Sequence, residues 1–321
     1  MKVEEVRIAA AQYPIELLPS FEAWEVKISH WVAEAARQGA QLLLFPEYAA
    51  MELAGCDPAA ASDLQHTLEL VMALSERADE LHRRLAAFHG LVIVGGSGPV
   101  RDDRGLIVNR ARLFCPDGSI AWQDKIVMTR FEREIWGISG GTQISAIHTP
   151  FGPVGISICY DAEFPMIARA QAEAGAKIIL VPSATDTMQG YWRVRIGAQA
   201  RALENQCYTV QAPTVGLAPW LPSLDENYGA AAIYGPPDGI TPDDGVFAIG
   251  QAQQGQWLLA DLDLSQVDQW RRNGTVMPFR DWPEQMIDEI QHPPGIANDN
   301  RVEVVQRQLG TKMRLAEGAH E

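Results

Sequence analysis

Metal-ligand and disulfide spacings are what this sequence most plainly lacks. Its four cysteines, Cys56, Cys115, Cys159 and Cys207, lie far apart with no C-x-x-C pair. They read as free thiols, neither a disulfide framework nor a zinc site. Seven histidines do not cluster and no H-E-x-x-H occurs, so metal catalysis has little support and no cofactor is expected. Basic residues are scarce: 26 Lys and Arg stand against 41 Asp and Glu, a net charge of −15. That balance argues against nucleic acid and anionic membranes as partners. No apolar run approaches the roughly 20 residues that span a bilayer. The opening MKVEEVRIAA has acids where a signal peptide has a basic end and a long apolar core. A cytoplasmic protein is expected. No Pro-, Gly- or Ser-rich linker divides the chain, and GGSGP at 95–99 lacks the G-K-[ST] ending of a phosphate loop. It reads as a turn that ends a strand.

What is present is a globular composition, 47% hydrophobic and 21% charged, far from that of a disordered chain. Short apolar runs alternate with helical periodicity. Val6–Gln12, Gln41–Phe45, Leu91–Val94 and Lys177–Val181 have strand length, and the run at 41–45 is apolar on both faces, as a covered strand would be. Glu22–Arg37, Asp63–His89, Pro165–Ala174 and Tyr191–Asn205 carry helical spacing. Ile107–Phe114 and Ile120–Trp122 flank Pro116-Asp117-Gly118, which predicts a hairpin. Cys207–Gln211, Ala230–Tyr234 and Trp257–Asp261 are further strands, and Lys125–Gly141 is loop-like. Alternating strands and helices predict an α/β protein with helix-covered sheets. From about Glu284 the pattern is lost. The chain thus divides into a domain at 1–283 and a C-terminal extension at 284–321 that could pack on a partner subunit.

Chemistry concentrates in VGISICYDAEFP, residues 154–165. A cysteine between a buried strand and a helix sits where backbone N–H groups and the helix dipole favour a thiolate. Most free cysteines are simply small buried hydrophobes, so the neighbours decide. Glu47 follows the run LLLFP, and Lys125 follows the hairpin in WQDK. A lone glutamate there is ordinarily a solvated cap, and a lone lysine ordinarily surface. Together, carboxylate, ammonium and thiol suffice for acyl transfer from an amide. The thiol attacks, the carboxylate relays its proton, and the ammonium with the Tyr160 N–H stabilises the oxyanion.

Three segments, FPE at 45–47, DK at 124–125 and ICYDAEFP at 158–165, resemble in order and separation the signatures of the nitrilase, or carbon–nitrogen hydrolase, superfamily. AAAQYP at 9–14, ARALENQCYTV at 200–210 and YGAAAIYGPPDG at 228–239 agree with it. The resemblance implies a four-layer α-β-β-α sandwich that forms a homodimer by packing helices of two subunits together. It also implies a catalytic set carried here onto Glu47, Lys125 and Cys159, acting through a thioester. A second glutamate after the lysine is Glu132, with Glu134 as the alternative; the unused one would be an exposed charge beside Arg133. Cys159-Tyr160-Asp161 matches amidase-type members, whereas nitrilases usually carry Cys-Trp-Glu, so the expected substrate is a small-molecule amide. Nitrile hydrolysis and N-carbamoyl hydrolysis are the alternatives, and a non-catalytic binding protein is the reading from another class. Met166 departs from the glutamate often found there. Loops at strand ends should line the pocket through Tyr48, Met51, Trp136, residues 184–191 and Trp192. Arg193 and Arg195 would grip a substrate carboxylate or else pair with acids such as Glu163 or Glu204. His148 reads as structural.

Overall fold

Runs of Ala, Leu, Val and Ile form the strands of two facing sheets, and the polar remainder of each amphipathic helix faces outward. The structure, a computed structural model, describes residues 5–285. Its first half runs β1 (Glu5–Pro14), α1 (Phe21–Arg37), β2 (Leu42–Leu44), the short α2 (Pro58–Ala61), α3 (Leu64–His89), β3 (Val92–Arg101), β4 (Ile107–Phe114) and β5 (Ile120–Asp124). The second continues with β6 (Ala146–Thr149), β7 (Gly152–Ile156), α4 (Pro165–Glu173), β8 (Ile178–Ser183), α5 (Met188–Asn205) and β9 (Tyr208–Leu217). It closes with β10 (Glu226–Asn227), β11 (Ala232–Tyr234), β12 (Val246–Ile249), β13 (Gln256–Asp263), α6 (Leu264–Asn273) and α7 (Pro278–Asp281).

One sheet is ordered β5-β4-β3-β2-β1, with β13 antiparallel to β1. The other runs β6-β7-β8-β9 and adds β11 and β12. A two-residue ladder joins them, with Tyr13 opposite Thr214 and Pro14 opposite Val215. Side chains alternate across a strand. Along β1, Val6, Ile8 and Ala10 therefore enter the core shared with Ile156, Ile158 and Ile233 of the second sheet. Ala9, Ala11 and Tyr13 instead meet Trp24, Ile28 and Val32 of α1 and Leu68 and Leu81 of α3. Ala168 of α4 and Val194, Ala198 and Ala202 of α5 pack against the second sheet. The result is a four-layer α-β-β-α sandwich.

Local chemistry sets the helix ends. Ser20 caps α1 by accepting from the Ala23 N–H, and Asp63 caps α3 by accepting from the His66 N–H. Gly90, at φ 69°, ends α3 in the left-handed conformation that glycine adopts without cost.

Several expectations are corrected. GGSGP is not a terminating turn: β3 runs through it to Arg101, with a register shift between Val94 and Ser97. Gly96 makes this possible, since φ is 81° and a Cβ would lie 2.5 Å from the Pro46 carbonyl oxygen. The strand expected at Lys177–Val181 runs on to Ser183, with Pro182 opposite Ala212 inside the β8–β9 ladder. The loop at 125–141 contains a π-helical turn, Glu132–Trp136, ended by Gly137 at φ 69°. β10, β12, α6 and α7 had no clear signal in the sequence. Of the C-terminal extension, Glu284 and Gln285 end a 3-10 turn, and the rest lies outside the described residues. No helix among the described residues is long and apolar enough to cross a membrane.

Candidate active site

Three chain segments leave their strands and meet at one edge of the sandwich. After β2, Phe45-Pro46 leads to Glu47; after β5 comes Lys125; after β7, Ser157-Ile158 leads to Cys159, the first residue of a 3-10 turn at Cys159–Glu163 that delivers α4. Cys159 has φ 49° and Tyr48 has φ 56°. Left-handed non-glycine residues cost on the order of 1 kcal/mol or more and persist where the surroundings over-determine them.

Glu47, Lys125, Glu132 and Cys159 are brought together, each at most 5% exposed. Lys125 Nζ donates to Glu47 Oε1 at 2.8 Å and to Glu132 Oε2 at 2.6 Å. The Ala184 N–H donates to Glu47 Oε2 at 3.0 Å, while the Ala184 carbonyl lies 3.7 Å from Cys159 Sγ. One residue past β8 thus touches both the acid and the thiol. Glu132 also accepts from the Tyr48 hydroxyl at 2.7 Å and from the Thr129 N–H and hydroxyl at 3.0 and 2.9 Å. Asn109, fully buried on β4, donates to Glu47 at 3.0 Å. Asn109, Thr129 and Ala184 escaped sequence reasoning. A usable signal existed only for Asn109, a polar, strand-disfavoured residue in the apolar run IVNRARLF.

The two carboxylates are pushed apart in acidity. Burial raises Glu47, and the nearby Lys125 ammonium does not cancel it, so Glu47 stays above the ordinary glutamate value. Burial also works against ionised Glu132, but the Lys125 charge and hydrogen bonds from Lys125, the Thr129 N–H and the Tyr48 hydroxyl hold it below that value. Burial opposes the Lys125 charge as well; Glu47 and Glu132 outweigh it and keep the ammonium protonated. Environments that separate two like groups in this way suit one to accept a proton and the other to remain a fixed charge. Cys159 differs from expectation. Burial and then the Glu47 charge drive the thiol well above its usual value, and Lys125 offsets only part. That direction favours the thiol over the thiolate.

Residues 7–272 match the family described as Carbon-nitrogen hydrolase. The chain belongs to the carbon–nitrogen hydrolase family. It is 36% identical over 276 residues to a probable hydrolase, YhcX, of Bacillus subtilis, covering 86% of this chain but 53% of that protein. The chain thus spans about half the length of that relative. It is 32% identical over 265 residues to human deaminated glutathione amidase, covering 78% of this chain and 75% of the relative. Saccharomyces cerevisiae Nit3, a nitrilase-superfamily member, shares the fold at a TM-score of 0.67 and 22% identity, over 84% of this chain and 94% of that one.

The site of this carbon–nitrogen hydrolase opens into a cleft of about 1110 Å³. Tyr48, Trp136, Tyr160, Ala184, Thr187 and Arg193 line it. Trp136 packs against Tyr48 with ring centroids 4.9 Å apart. Trp192, expected in the pocket, instead stands outside the cleft, 44% exposed, with the Arg195 guanidinium over its ring. Met51 is fully buried in the core under α1 and α3. Arg193 reaches the cleft, but Glu163 takes its guanidinium in a two-point pair at 3.1 and 2.7 Å. Glu204 pairs with Arg201. Glu134 pairs with Arg130, not Arg133, at 2.9 Å through both oxygens. His148 is exposed on β6, away from the cleft.

Proposed function

We propose that the protein is an amidase in which Cys159 is the nucleophile and Glu47 the proton carrier. The observation that carries this reading is the buried Lys125 ammonium bonded to both Glu47 and Glu132, with Ala184 touching Glu47 and the Cys159 sulfur together. Glu47 removes the Cys159 proton as Sγ attacks the amide carbon. The oxygen of the tetrahedral intermediate takes the negative charge. Lys125 and the Tyr160 N–H meet it; Tyr160 is the second residue of its turn, where a helical N–H has no partner within the helix. Protonated Glu47 then gives its proton to the departing nitrogen, the C–N bond breaks, and an acyl thioester remains. A water, deprotonated by the same glutamate, releases the acid and restores the thiol. Glu132 stays ionised and holds Lys125 charged. Cys159-Tyr160-Asp161 and the human relative's activity favour amides over nitriles. Because Glu163 already occupies Arg193, a carboxylate grip by that arginine has no support in the contacts.

The test is ammonia release from matched amide and nitrile panels, with mass spectrometry of Cys159. Turnover of amides and an acyl adduct on Cys159 are expected, and Cys159→Ala should lose activity about 10³-fold or more. Full activity of that variant would overturn the mechanism, and turnover of nitriles alone would overturn the substrate class.

We also propose a homodimer formed through the outer layer of α4 and α5. Met166, Trp192, Ile196 and Leu203 there are 47%, 44%, 60% and 42% exposed. Positions 192, 196 and 203 fall on one stripe of α5. Exposed apolar side chains clustered on one helix face are suited to self-association.

A further inference from the structure

Asp161, two residues after Cys159, is fully buried and makes no ion pair among the described residues. Its carboxylate accepts from the Ile126 N–H at 3.2 and 3.0 Å and from the Val127 N–H at 2.8 Å. Burying a carboxylate without a cation costs several kcal/mol, and burial accordingly pushes Asp161 up to about 7. Lys125 and Glu47 are the charged groups that act on it. An asparagine would fill the same space at lower cost, but its NH2 would face one of the two N–H donors.

The donors explain what the charge does. Ile126 and Val127 are the two residues that follow Lys125. Lys125 is held through both of its backbone groups: its N–H donates to the Asn109 carbonyl of β4 at 2.8 Å, and its carbonyl accepts from the Gly141 N–H of the following loop at 2.7 Å. The chain has left β5 at Asp124, before Lys125. The Asp161 turn is itself closed by Asp161 N–H to the Ile158 carbonyl at 2.9 Å and Phe164 N–H to the Asp161 carbonyl at 3.1 Å. The carboxylate therefore bonds the lysine segment directly to the nucleophile turn.

We propose that Asp161 is a positioning residue: its carboxylate ties the backbone after Lys125 to the Cys159 turn and so sets the Lys125 ammonium against the thiol. A misplacement of about 1 Å can cost 10²-fold in rate, so a link of this kind acts on kcat and leaves substrate affinity alone. The role presupposes the reaction proposed above.

The experiment compares wild-type protein with Asp161→Asn at pH 8. Expected are a kcat lowered about 10- to 100-fold, a KM changed less than about threefold, and slower iodoacetamide alkylation of Cys159. Removing a negative charge from the neighbourhood of Lys125 and Glu47 would by itself favour the thiolate and speed alkylation, so the direction separates positioning from electrostatics. Faster or unchanged alkylation, or an unchanged kcat, overturns the proposal. Val127→Pro, which deletes the shortest donor and leaves Asp161 in place, carries the same expectations if the asparagine variant fails to fold. Alkylation needs no amide substrate. If wild-type protein turned over no amide, the proposed function would fail, while the alkylation rates of wild type and variant would still show whether Asp161 positions the Cys159 turn.

Discussion

Two glutamates two positions apart, Glu132 and Glu134, end in opposite surroundings, and no spacing argument could have separated them. What separates them is burial. Glu132 is 3% exposed and accepts from Lys125, Tyr48 and Thr129, while Glu134 lies at the mouth with Arg130, itself 89% exposed. Such exposed pairs are worth about 0–1 kcal/mol. Glu134→Gln is therefore expected to keep kcat within about twofold. Glu132→Gln removes one of the two charges that hold Lys125, and a loss of roughly 10²-fold in kcat is expected, in the range of a positioned catalytic group. The sign of the accompanying pH effect follows from Coulomb interaction. Glu132 raises Glu47, so its neutralisation lowers the Glu47 pKa. Glu47 must be ionised to accept the thiol proton, so the acid limb of kcat/KM should move to lower pH. An acid limb that stayed in place in Glu132→Gln would show that Glu47 is not the base. Cys159 marks the limit of local reading at this scale: its place before a helix was legible, but its protonation was not. That depends on Glu47, which is 112 positions away in the chain and next to it only after folding.

At the scale of elements, the sequence showed what local chemistry governs. The expected hairpin around Pro116-Asp117-Gly118 formed between β4 and β5, with Phe114 opposite Ile120. Asp63 and Gly90 bounded α3 as caps do. Errors arose where a distant contact overrode a local signal. Glycines at 95–96 read as a strand end, yet β3 continues because the Pro46 loop crosses it and only a residue without Cβ fits beneath. The π turn at Glu132–Trp136 had no local signature at all; Lys125 and Tyr48 hold it from outside. A comparable contact lies inside α5. A Cβ on Gly197 would lie 2.8 Å from the Ala162 carbonyl oxygen and 3.3 Å from the Glu163 N, both in the Cys159 turn. Glycine in a helix interior ordinarily costs stability relative to alanine, so a propensity argument alone predicts that Gly197→Ala stabilises. The contact predicts the reverse. Overpacking of about 1–3 kcal/mol should lower the melting temperature, and displacement of the Cys159 turn should lower kcat in the variant that remains folded. A raised melting temperature with unchanged kcat would show that α5 does not press on the turn.

At the scale of the molecule, both apolar faces of each sheet are covered within one chain, so the sandwich needs no partner to close its core. What it leaves open is the outside of α4 and α5. Trp192 belongs to that surface: it was expected to bind substrate and instead projects beside Ile196. An aromatic side chain on an exposed helical stripe is a large apolar area kept in water, which burial against a second copy would relieve. The Arg195 guanidinium lies over the Trp192 ring, and a chain of −15 repels its copy at long range, less so as salt rises. Two expectations follow from one geometry. Wild-type protein at micromolar concentration should run at twice the 35.3 kDa chain mass in light scattering, more completely at higher ionic strength. Ile196→Glu places a charge at the most exposed position of the stripe, where an unpaired buried charge is strongly penalised, and should run at the chain mass with its far-UV circular dichroism unchanged. A wild-type monomer at all salt concentrations, or an Ile196→Glu protein still at the doubled mass, would place the self-association surface elsewhere or remove it. Because α5 also presses Gly197 against the Cys159 turn, the monomeric variant should lose kcat as well if the partner steadies that helix. If activity is retained in the monomer, each subunit holds a complete site.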